Sequence, residues 1–161
     1  MRSRRDERKA RTRAGVLASA RECFSREGPA ATNTQQVSAA AGVSHGTLFL
    51  HFPSRNDLID AVVTDFAADL RSRLAPPASF LADELEAQLR LLAADESLYA
   101  HLLREEYALP AAARREMQSL AELLRGRIAS AYEAEAELLR PLPPRLLAST
   151  WLSLIQDLLR R

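Results

Sequence analysis

Apolar residues recur at helical spacing along almost the whole chain, and the first such stretch spans residues 6–26. Its apolar positions fall at i, i+1, i+4, i+7 and i+8, which places them on one side of a helix and predicts one amphipathic helix. They are Val16, Leu17, Ala20, Cys23 and Phe24. We expect Cys23, which lies on this apolar stripe, to be part of the hydrophobic core. We expect Gly28 and Pro29 to end the helix.

Two short helices are predicted next, separated by a tight turn. Asn33 and Gln36 have the spacing of a capping box and start a helix over residues 34–41, with Val37, Ala40 and Ala41 expected to be buried. Gly42 then takes the position where a left-handed residue ends a helix. Ser44 caps a third helix over residues 45–51, whose inward residues are Leu48 and Phe52.

The remaining pattern is also helical. Ser54 and Asp57 open a fourth helix that runs to Leu74, and Pro76 and Pro77 mark a boundary and a hinge. The fourth helix carries apolar residues every four positions, namely Leu58, Val62, Phe66 and Leu70. Later stripes are Leu81, Leu85, Leu89 and Leu92; then Leu98, Leu102 and Leu103; then Met117, Leu120, Leu124, Ile128, Ala131 and Leu138 over residues 111–139; and finally Leu147, Trp151, Leu154, Ile155 and Leu158.

Composition supports an all-α fold and argues against several other classes. Ala and Leu together supply 56 of the 161 residues, whereas Val and Ile supply eight, so a sheet is disfavoured. A single cysteine excludes a disulfide scaffold, and three histidines leave a metal centre poor in ligands. Motifs of known catalytic sites are absent from the sequence, so we expect no enzyme, no cofactor and no metal.

Charge divides the chain into two parts. Residues 1–57 hold ten basic against five acidic residues, and residues 58–161 hold twelve against sixteen. A basic front and an acidic rear predict that the front meets a polyanion. No apolar run approaches the roughly 20 residues that span a bilayer, and no secretory signal is visible. We therefore expect a cytoplasmic protein with no membrane partner.

Residues 33–55 have the pattern of a helix-turn-helix, in which the second helix enters the major groove of double-stranded DNA. With Leu48 and Phe52 inward, the second helix projects a set of outward residues. His45 can reach a base edge, Gly46 allows close approach of the backbone, and apolar side chains can touch a thymine methyl. The outward residues are His45, Gly46, Phe49 and Leu50, with Thr47 and His51 placed to reach flanking phosphates.

Phosphate contacts are also expected at two helix N-termini and along the N-terminal tail. Thr34 and Gln35 begin one helix and Arg55 begins another, so free amides and positive dipole ends lie there. Residues 2–13 hold seven Arg or Lys, which can follow the backbone or enter a minor groove. A solvated, disordered arm is the alternative for this tail.

The segment AAGVSHGTLFLHFPSR, preceded by a helix ending in FSREG, resembles the TetR family of bacterial transcriptional regulators over about residues 10–65. The resemblance implies a three-helix DNA-binding domain and, behind it, an antiparallel helical domain for ligand binding and dimerisation. It places Thr34, Thr47, Phe49, His51 and Arg55 on positions that typically hold phosphates, and Gln35, His45 and Gly46 on positions that often face bases.

The chain departs from the family pattern in several places. Phe49 replaces the usual Tyr and lacks its hydroxyl, Arg55 replaces a usual Lys, and Ser38 replaces a usual Ala. The family usually continues with one more long helix beyond the counterpart of residues 147–159. We therefore expect that a dimer mate covers the stripe of the last helix, or that the chain is a truncated form that exposes it.

These observations lead to one main hypothesis. Residues 1–52 form the DNA-binding domain, residues 53–74 a linking helix, and residues 75–161 the effector-binding and dimerisation domain. We expect a repressor that binds a palindromic operator as a homodimer and is released by a small apolar or amphipathic effector. The candidate pocket residues are Phe66, Tyr99, Leu103, Tyr107, Met117, Leu120 and Trp151. The alternatives are a truncated helical interaction protein without specific operator binding and, with less support, a small-molecule enzyme.

Overall fold

The computed structural model describes residues 4–74 and 76–160, and all regular secondary structure within these ranges is helical. The all-α prediction is therefore confirmed for this part of the chain. The α-helices are α1 (Arg4–Ala31), α2 (Thr34–Ala40), α3 (His45–His51), α4 (Arg55–Arg73), α5 (Leu81–Ala93), α6 (Glu96–Arg104), α7 (Ala111–Ala134) and α8 (Pro144–Arg160), with a short 3-10 helix at Glu106–Ala108.

The first helix begins earlier than the pattern predicts, and beyond a kink at Gly28 it has one further turn. It is already formed at Arg4, so the described basic residues of the N-terminal tail lie on a helix and not on a disordered arm, while Arg2 lies outside the described residues. At Gly28 the backbone leaves the helical conformation, with φ 83° and ψ 157°, and one further helical turn follows. The prediction that Gly28 and Pro29 end the straight helix is thus confirmed, and both residues are buried.

The helix-turn-helix forms as predicted except at one buried position. The Gln36 amide donates to Asn33 Oδ1 at 2.9 Å and the Asn33 amide donates to Gln36 Oε1 at 2.8 Å, which completes the capping box. Gly42 has φ 64°, the left-handed conformation expected of it. Ala40, however, is exposed and Ser38 is buried in its place.

The error at Ala40 has a simple cause. The helix is only seven residues long, and its inner face passes through Val37 and Ser38 before the chain turns. Burial of the Ser38 hydroxyl is acceptable because it donates to the carbonyl of Gln35 at 3.0 Å.

The long α4 helix is the part of the fold that joins the front to the rear. Its predicted stripe is buried, since Leu58, Val62, Phe66 and Leu70 are each at most 1% exposed. Polar contacts tie it to α7, where Asp60 Oδ1 accepts from the Ala113 amide at 2.8 Å. Helix α4 is therefore fixed to the rear part along its length.

The leucine stripe predicted for α5 is wrong in part, because a charged pair occupies the inner face. Glu84 and Gln88 are fully buried, whereas Leu89 is 44% exposed. Arg127 of α7 donates to both carboxylate oxygens of Glu84, at 2.8 and 2.7 Å. Burial opposes the charge of Glu84, but the hydrogen bonds from Arg127, Gln88 and the Ala78 amide outweigh it and lower its pKa.

The last two helices also differ from their predicted patterns. Helix α7 ends at Ala134, and Leu138, expected to be buried, is 81% exposed. The chain turns back there because the Tyr132 hydroxyl donates to the Arg140 carbonyl and accepts from the Leu142 amide, both at 2.7 Å. On α8 the buried residues are Ala148, Leu152 and Ile155, so part of the apolar stripe faces outward.

Candidate nucleic-acid interface

The second helix of the helix-turn-helix, α3, is anchored by two side chains and presents the rest of its surface. Leu48 is fully buried and Phe52 is 1% exposed, which fixes the rotation of the helix about its own axis. Ser44 Oγ accepts from the Thr47 amide at 3.1 Å and caps the helix. As a result His45 and Gly46 are exposed, and Leu50 projects with 80% of its surface exposed.

His45 is held in a defined orientation before any DNA arrives. Its Nε2 shares a hydrogen bond with the Thr34 hydroxyl at 2.9 Å, and its ring meets the edge of the Phe49 ring with centroids 4.7 Å apart. These contacts join the start of α2 to the start of α3. A histidine fixed in this way loses less conformational entropy when it contacts a base.

The other predicted contact residues of the helix-turn-helix lie around this surface. Gln35 is exposed, Thr47 and His51 are half-buried, and Phe49 packs partly against the core. The Thr47 hydroxyl shares a hydrogen bond with Ser44 Oγ at 2.8 Å. The hydrogen bond between Thr34 and His45 thus brings the start of α2 together with the start of α3, with Gln35 and Gly46 exposed next to them in the sequence.

A basic cleft lies beside that face, between the first turns of α1 and the last turn of α3. Its volume is about 610 Å³, and four cationic or hydroxyl side chains of α1 face three residues of α3 across it. The lining residues are Arg5, Asp6, Arg8, Lys9, Thr12, Thr47, Leu50 and His51. Because α1 is helical here, these charges have fixed positions that the sequence pattern of a basic tail did not reveal.

Arg55 has a partner that the sequence did not predict. The sequence placed it as a fixed charge for phosphate at the start of α4; in the structure the residue is exposed, and its Nη2 donates to the carbonyl of Pro29 and approaches those of Ala30 and Thr32 at 3.4 and 3.5 Å. The guanidinium thus caps the carbonyls that follow the kink in α1. Its position at a helix N-terminus gave no sign of this second partner.

A second candidate site is a partly open cavity of about 140 Å³ between α6, the 3-10 helix, α7 and α8. An engineered apolar cavity of roughly 150 Å³ is large enough for benzene, so this space fits a small molecule. Three of the predicted pocket residues line it, namely Tyr99, Leu103 and Met117. Its remaining lining residues are Leu102, Glu106, Gln118, Ala121, Arg125 and Gln156.

The other predicted pocket residues lie elsewhere. Phe66 and Leu120 are fully buried in the core, and half-buried Trp151 packs against that core. Tyr107 is 92% exposed, so its assignment to a pocket is wrong. It belongs to the 3-10 helix, whose short turn directs the ring to solvent. Gln118, Ala121 and Arg125 were missed, although their spacing on α7 puts them on the same face as Met117.

Among the described helices, none has the length and apolar character needed to cross a membrane. The same part of the chain contains no group of three His, Cys, Asp or Glu side chains arranged to hold a metal ion.

Residues 16–62, which include the whole helix-turn-helix, match the family described as bacterial regulatory proteins, tetR family. This stretch of the chain therefore carries the DNA-binding region typical of the TetR family. An HTH-type transcriptional repressor of Mycobacterium tuberculosis is 33% identical to the chain over 82 residues. That match includes 50% of this chain and 44% of the repressor, so the chain spans less than half the length of this curated relative.

Solved structures show the same fold over most of the chain. The TetR-family regulator PfmR of Thermus thermophilus has a TM-score of 0.74 at 20% identity, with 90% of this chain and 84% of PfmR covered. AibR, solved in complex with isovaleryl coenzyme A and operator DNA, has a TM-score of 0.67 at 17% identity, with 93% and 86% covered. The family match over residues 16–62 begins within α1 and ends within α4.

Proposed function

We propose that this chain is a transcriptional regulator of the TetR family that represses genes by binding a palindromic operator as a homodimer. The observation that carries the proposal is the exposed surface of α3, held by Leu48 and Phe52 and flanked by the basic cleft. A rigid helix with a polar outer face beside fixed cations is what major-groove binding requires.

The roles of the residues follow from their positions. His45 reads a base edge, Leu50 contacts a thymine methyl, and Gly46 lets the backbone approach the DNA. Thr34, Gln35, Thr47, Phe49 and His51 border this contact and position the duplex. Arg8 and Lys9 supply phosphate contacts from the cleft, and Arg55 contributes by holding the turn before α2.

A homodimer is supported by the apolar residues that α8 leaves exposed. Leu146, Leu154 and Leu158 are 58%, 53% and 59% exposed, respectively. Exposed leucines at helical spacing are typical of a helix face that packs against a partner. Two copies joined through α8 would present two recognition helices, which is why the operator should be a palindrome.

The effector is proposed to be a small amphipathic molecule bound in the cavity. Tyr99, Leu102, Leu103 and Met117 give it a buried apolar floor, and Arg125 and the two glutamines offer polar partners. Such a ligand releases the operator only if it binds the DNA-free conformation more tightly than the DNA-bound one. AibR is a relative in fold that has been solved with both a coenzyme A ester and operator DNA.

The proposal is tested by selecting bound duplexes from a random pool with the purified chain. We expect an inverted repeat, a dimer by analytical ultracentrifugation, and a preference for the selected duplex over random DNA. A Leu154→Glu variant should be a monomer with weaker operator binding, and Glu86→Ala, which removes one exposed helix ion pair, serves as control. A stable monomer with only salt-sensitive, non-specific DNA affinity would instead indicate an interaction protein without an operator.

A further inference from the structure

The kinked end of α1 and the turn that follows it, together residues 28–32, are held from two sides by side chains from other parts of the chain. Glu105 Oε2 accepts from the Ala30 amide at 2.6 Å, and Arg55 of α4 donates to the carbonyl of Pro29. The capping residue Asn33 follows this turn directly, and with it α2 begins. Both contacts therefore lie directly before the first helix of the helix-turn-helix.

The first of these contacts comes from the rear of the protein. Glu105 follows the last residue of α6, and its carboxylate reaches across to α1 over a sequence separation of 75 residues. Glu105 Oε1 occupies the space where a Cβ of residue 28 would lie, so the contact fits because Gly28 has no side chain. His101, one turn earlier, lies 3.9 Å from the same carboxylate.

The C-terminal end of α6, whose C-cap residue is Glu105, also borders the proposed effector cavity. Leu102, Leu103 and Glu106 line that cavity, while Glu105, just before Glu106, accepts a hydrogen bond from the Ala30 amide of α1. Directly after Glu105 the chain passes into the 3-10 helix at Glu106–Ala108. A 3-10 turn has poorer hydrogen-bond geometry than an α-helix, so this segment can rearrange more easily than its neighbours.

We propose that Glu105 is the residue through which occupation of the cavity acts on the DNA-binding helices. A molecule in the cavity displaces the end of α6, and the Glu105 carboxylate leaves the Ala30 amide. Of the two contacts that reach residues 28–32 from distant parts of the chain, only that of Arg55 then remains. The α2–α3 pair then changes its angle to α1 and fits the operator less well. The inference rests on the proposed function, because it assigns to that regulator the path from its effector site to its DNA site.

The effector is unidentified, so the test fills the cavity with a side chain. Ala121 lines the cavity on α7, and Ala121→Leu places three more carbon atoms there. Exposed Ala111 on the same helix lies outside the lining, so Ala111→Leu is the matched control. Amide hydrogen exchange is measured by NMR at Ala30, with the Thr47 amide, which bonds to Ser44, as internal reference.

We expect Ala121→Leu to raise exchange at Ala30 at least about fivefold, the lower end of common allosteric coupling, and to leave Thr47 unchanged. Glu105→Ala should raise exchange at Ala30 by itself, and adding Ala121→Leu should then have no further effect. Unchanged exchange at Ala30 in Ala121→Leu would overturn the proposal, and this measurement does not depend on DNA binding.

Operator affinity gives the second measurement, as a double-mutant cycle. Ala121→Leu should weaken binding of the selected duplex at least about fivefold in the native chain and less than about twofold in Glu105→Ala. Glu105→Gln keeps an oxygen that can accept from Ala30 and should restore the sensitivity. An equal loss in all three backgrounds would overturn the role of Glu105. If no duplex is preferred over random DNA, the proposed function fails, and the NMR result alone decides the coupling.

Discussion

The substitution Gly28→Ala tests the junction between α1, α2 and α6 most directly. Gly28 has φ 83° and ψ 157°, a region of backbone space that is essentially restricted to glycine. The new methyl group would also overlap the Glu105 carboxylate and approach His101 Nδ1 to 2.8 Å. Both neighbours are flexible and can move, but Glu105 must then give up the Ala30 amide.

Two contributions set the expected loss of stability. Placing an alanine in this backbone conformation costs about 1–3 kcal/mol. A hydrogen bond to a charged group contributes about 1.5–3 kcal/mol, and the lower part of that range applies because the Glu105 side chain is 20% exposed. We therefore expect Gly28→Ala to lower the free energy of unfolding by about 2.5–5 kcal/mol.

The assay is urea unfolding followed by circular dichroism, with two glycine controls. Gly42 has φ 64° and open space around its Cβ position, so Gly42→Ala should cost only about 1–2 kcal/mol. Gly15 is exposed inside α1, and Gly15→Ala should stabilise by about 1 kcal/mol. In a Glu105→Ala background, Gly28→Ala should lower the free energy of unfolding by less, because the loss of the Glu105 hydrogen bond no longer contributes. A cost for Gly28→Ala no larger than that for Gly42→Ala would refute the reasoning.

Three further predictions concern the DNA surface and the buried ion pair. His45→Ala should lower affinity by about 1–3 kcal/mol at one operator position and relax specificity there, measured by anisotropy with single-base operator variants. Arg8→Ala should weaken selected and random duplexes alike and reduce the salt slope by about one. Glu84→Gln should lower the free energy of unfolding by about 3–5 kcal/mol at neutral pH, because it leaves Arg127 buried without its carboxylate. Since the folded pKa of Glu84 is lowered, the difference between native chain and variant should shrink as the pH falls below about 4.3.

Each of these has a result that would contradict it. Equal losses of His45→Ala on selected and random DNA would remove its role in base reading. A salt slope that Arg8→Ala leaves unchanged would place Arg8 outside the phosphate contacts. For the ion pair, the informative control is the double variant Glu84→Gln with Arg127→Met, which should recover stability relative to Glu84→Gln alone. If the difference in unfolding free energy between the native chain and Glu84→Gln grows as the pH falls, the pKa of Glu84 is not lowered in the folded state.

The helix-turn-helix could be predicted from the sequence because its determinants are local. Asn33 with Gln36, Gly42 and Ser44 act on neighbouring backbone, so the sequence order already contains their partners. The register of α3 followed from Leu48 and Phe52 for the same reason. These residues are where the pattern and the structure agree most closely.

Errors arose where a side chain meets a partner distant in the sequence. Glu84 is buried because Arg127 lies opposite, and Arg55, although exposed, bonds to carbonyls 23–26 residues earlier in the chain. Helical periodicity reports the polarity of a face but not what that face contacts. The predicted burial of Leu138 was wrong for a related reason. Helix α7 ends before Leu138, where the Tyr132 hydroxyl bonds to the carbonyl of Arg140 in the segment that follows.

Buried side chains of the front and of the rear join in a single hydrophobic cluster that runs from Val16 to Ile155. Arg21 of α1 also links the front to the rear, because its guanidinium donates to the carboxylates of Asp69 on α4 at 3.0 Å and of Asp95, just before α6, at 2.8 Å. A chimera that exchanges only residues 4–52 with those of a relative would inherit one half of each of these contacts. New operator specificity in this protein is therefore better introduced by changing surface residues of α3 than by grafting a complete DNA-binding domain.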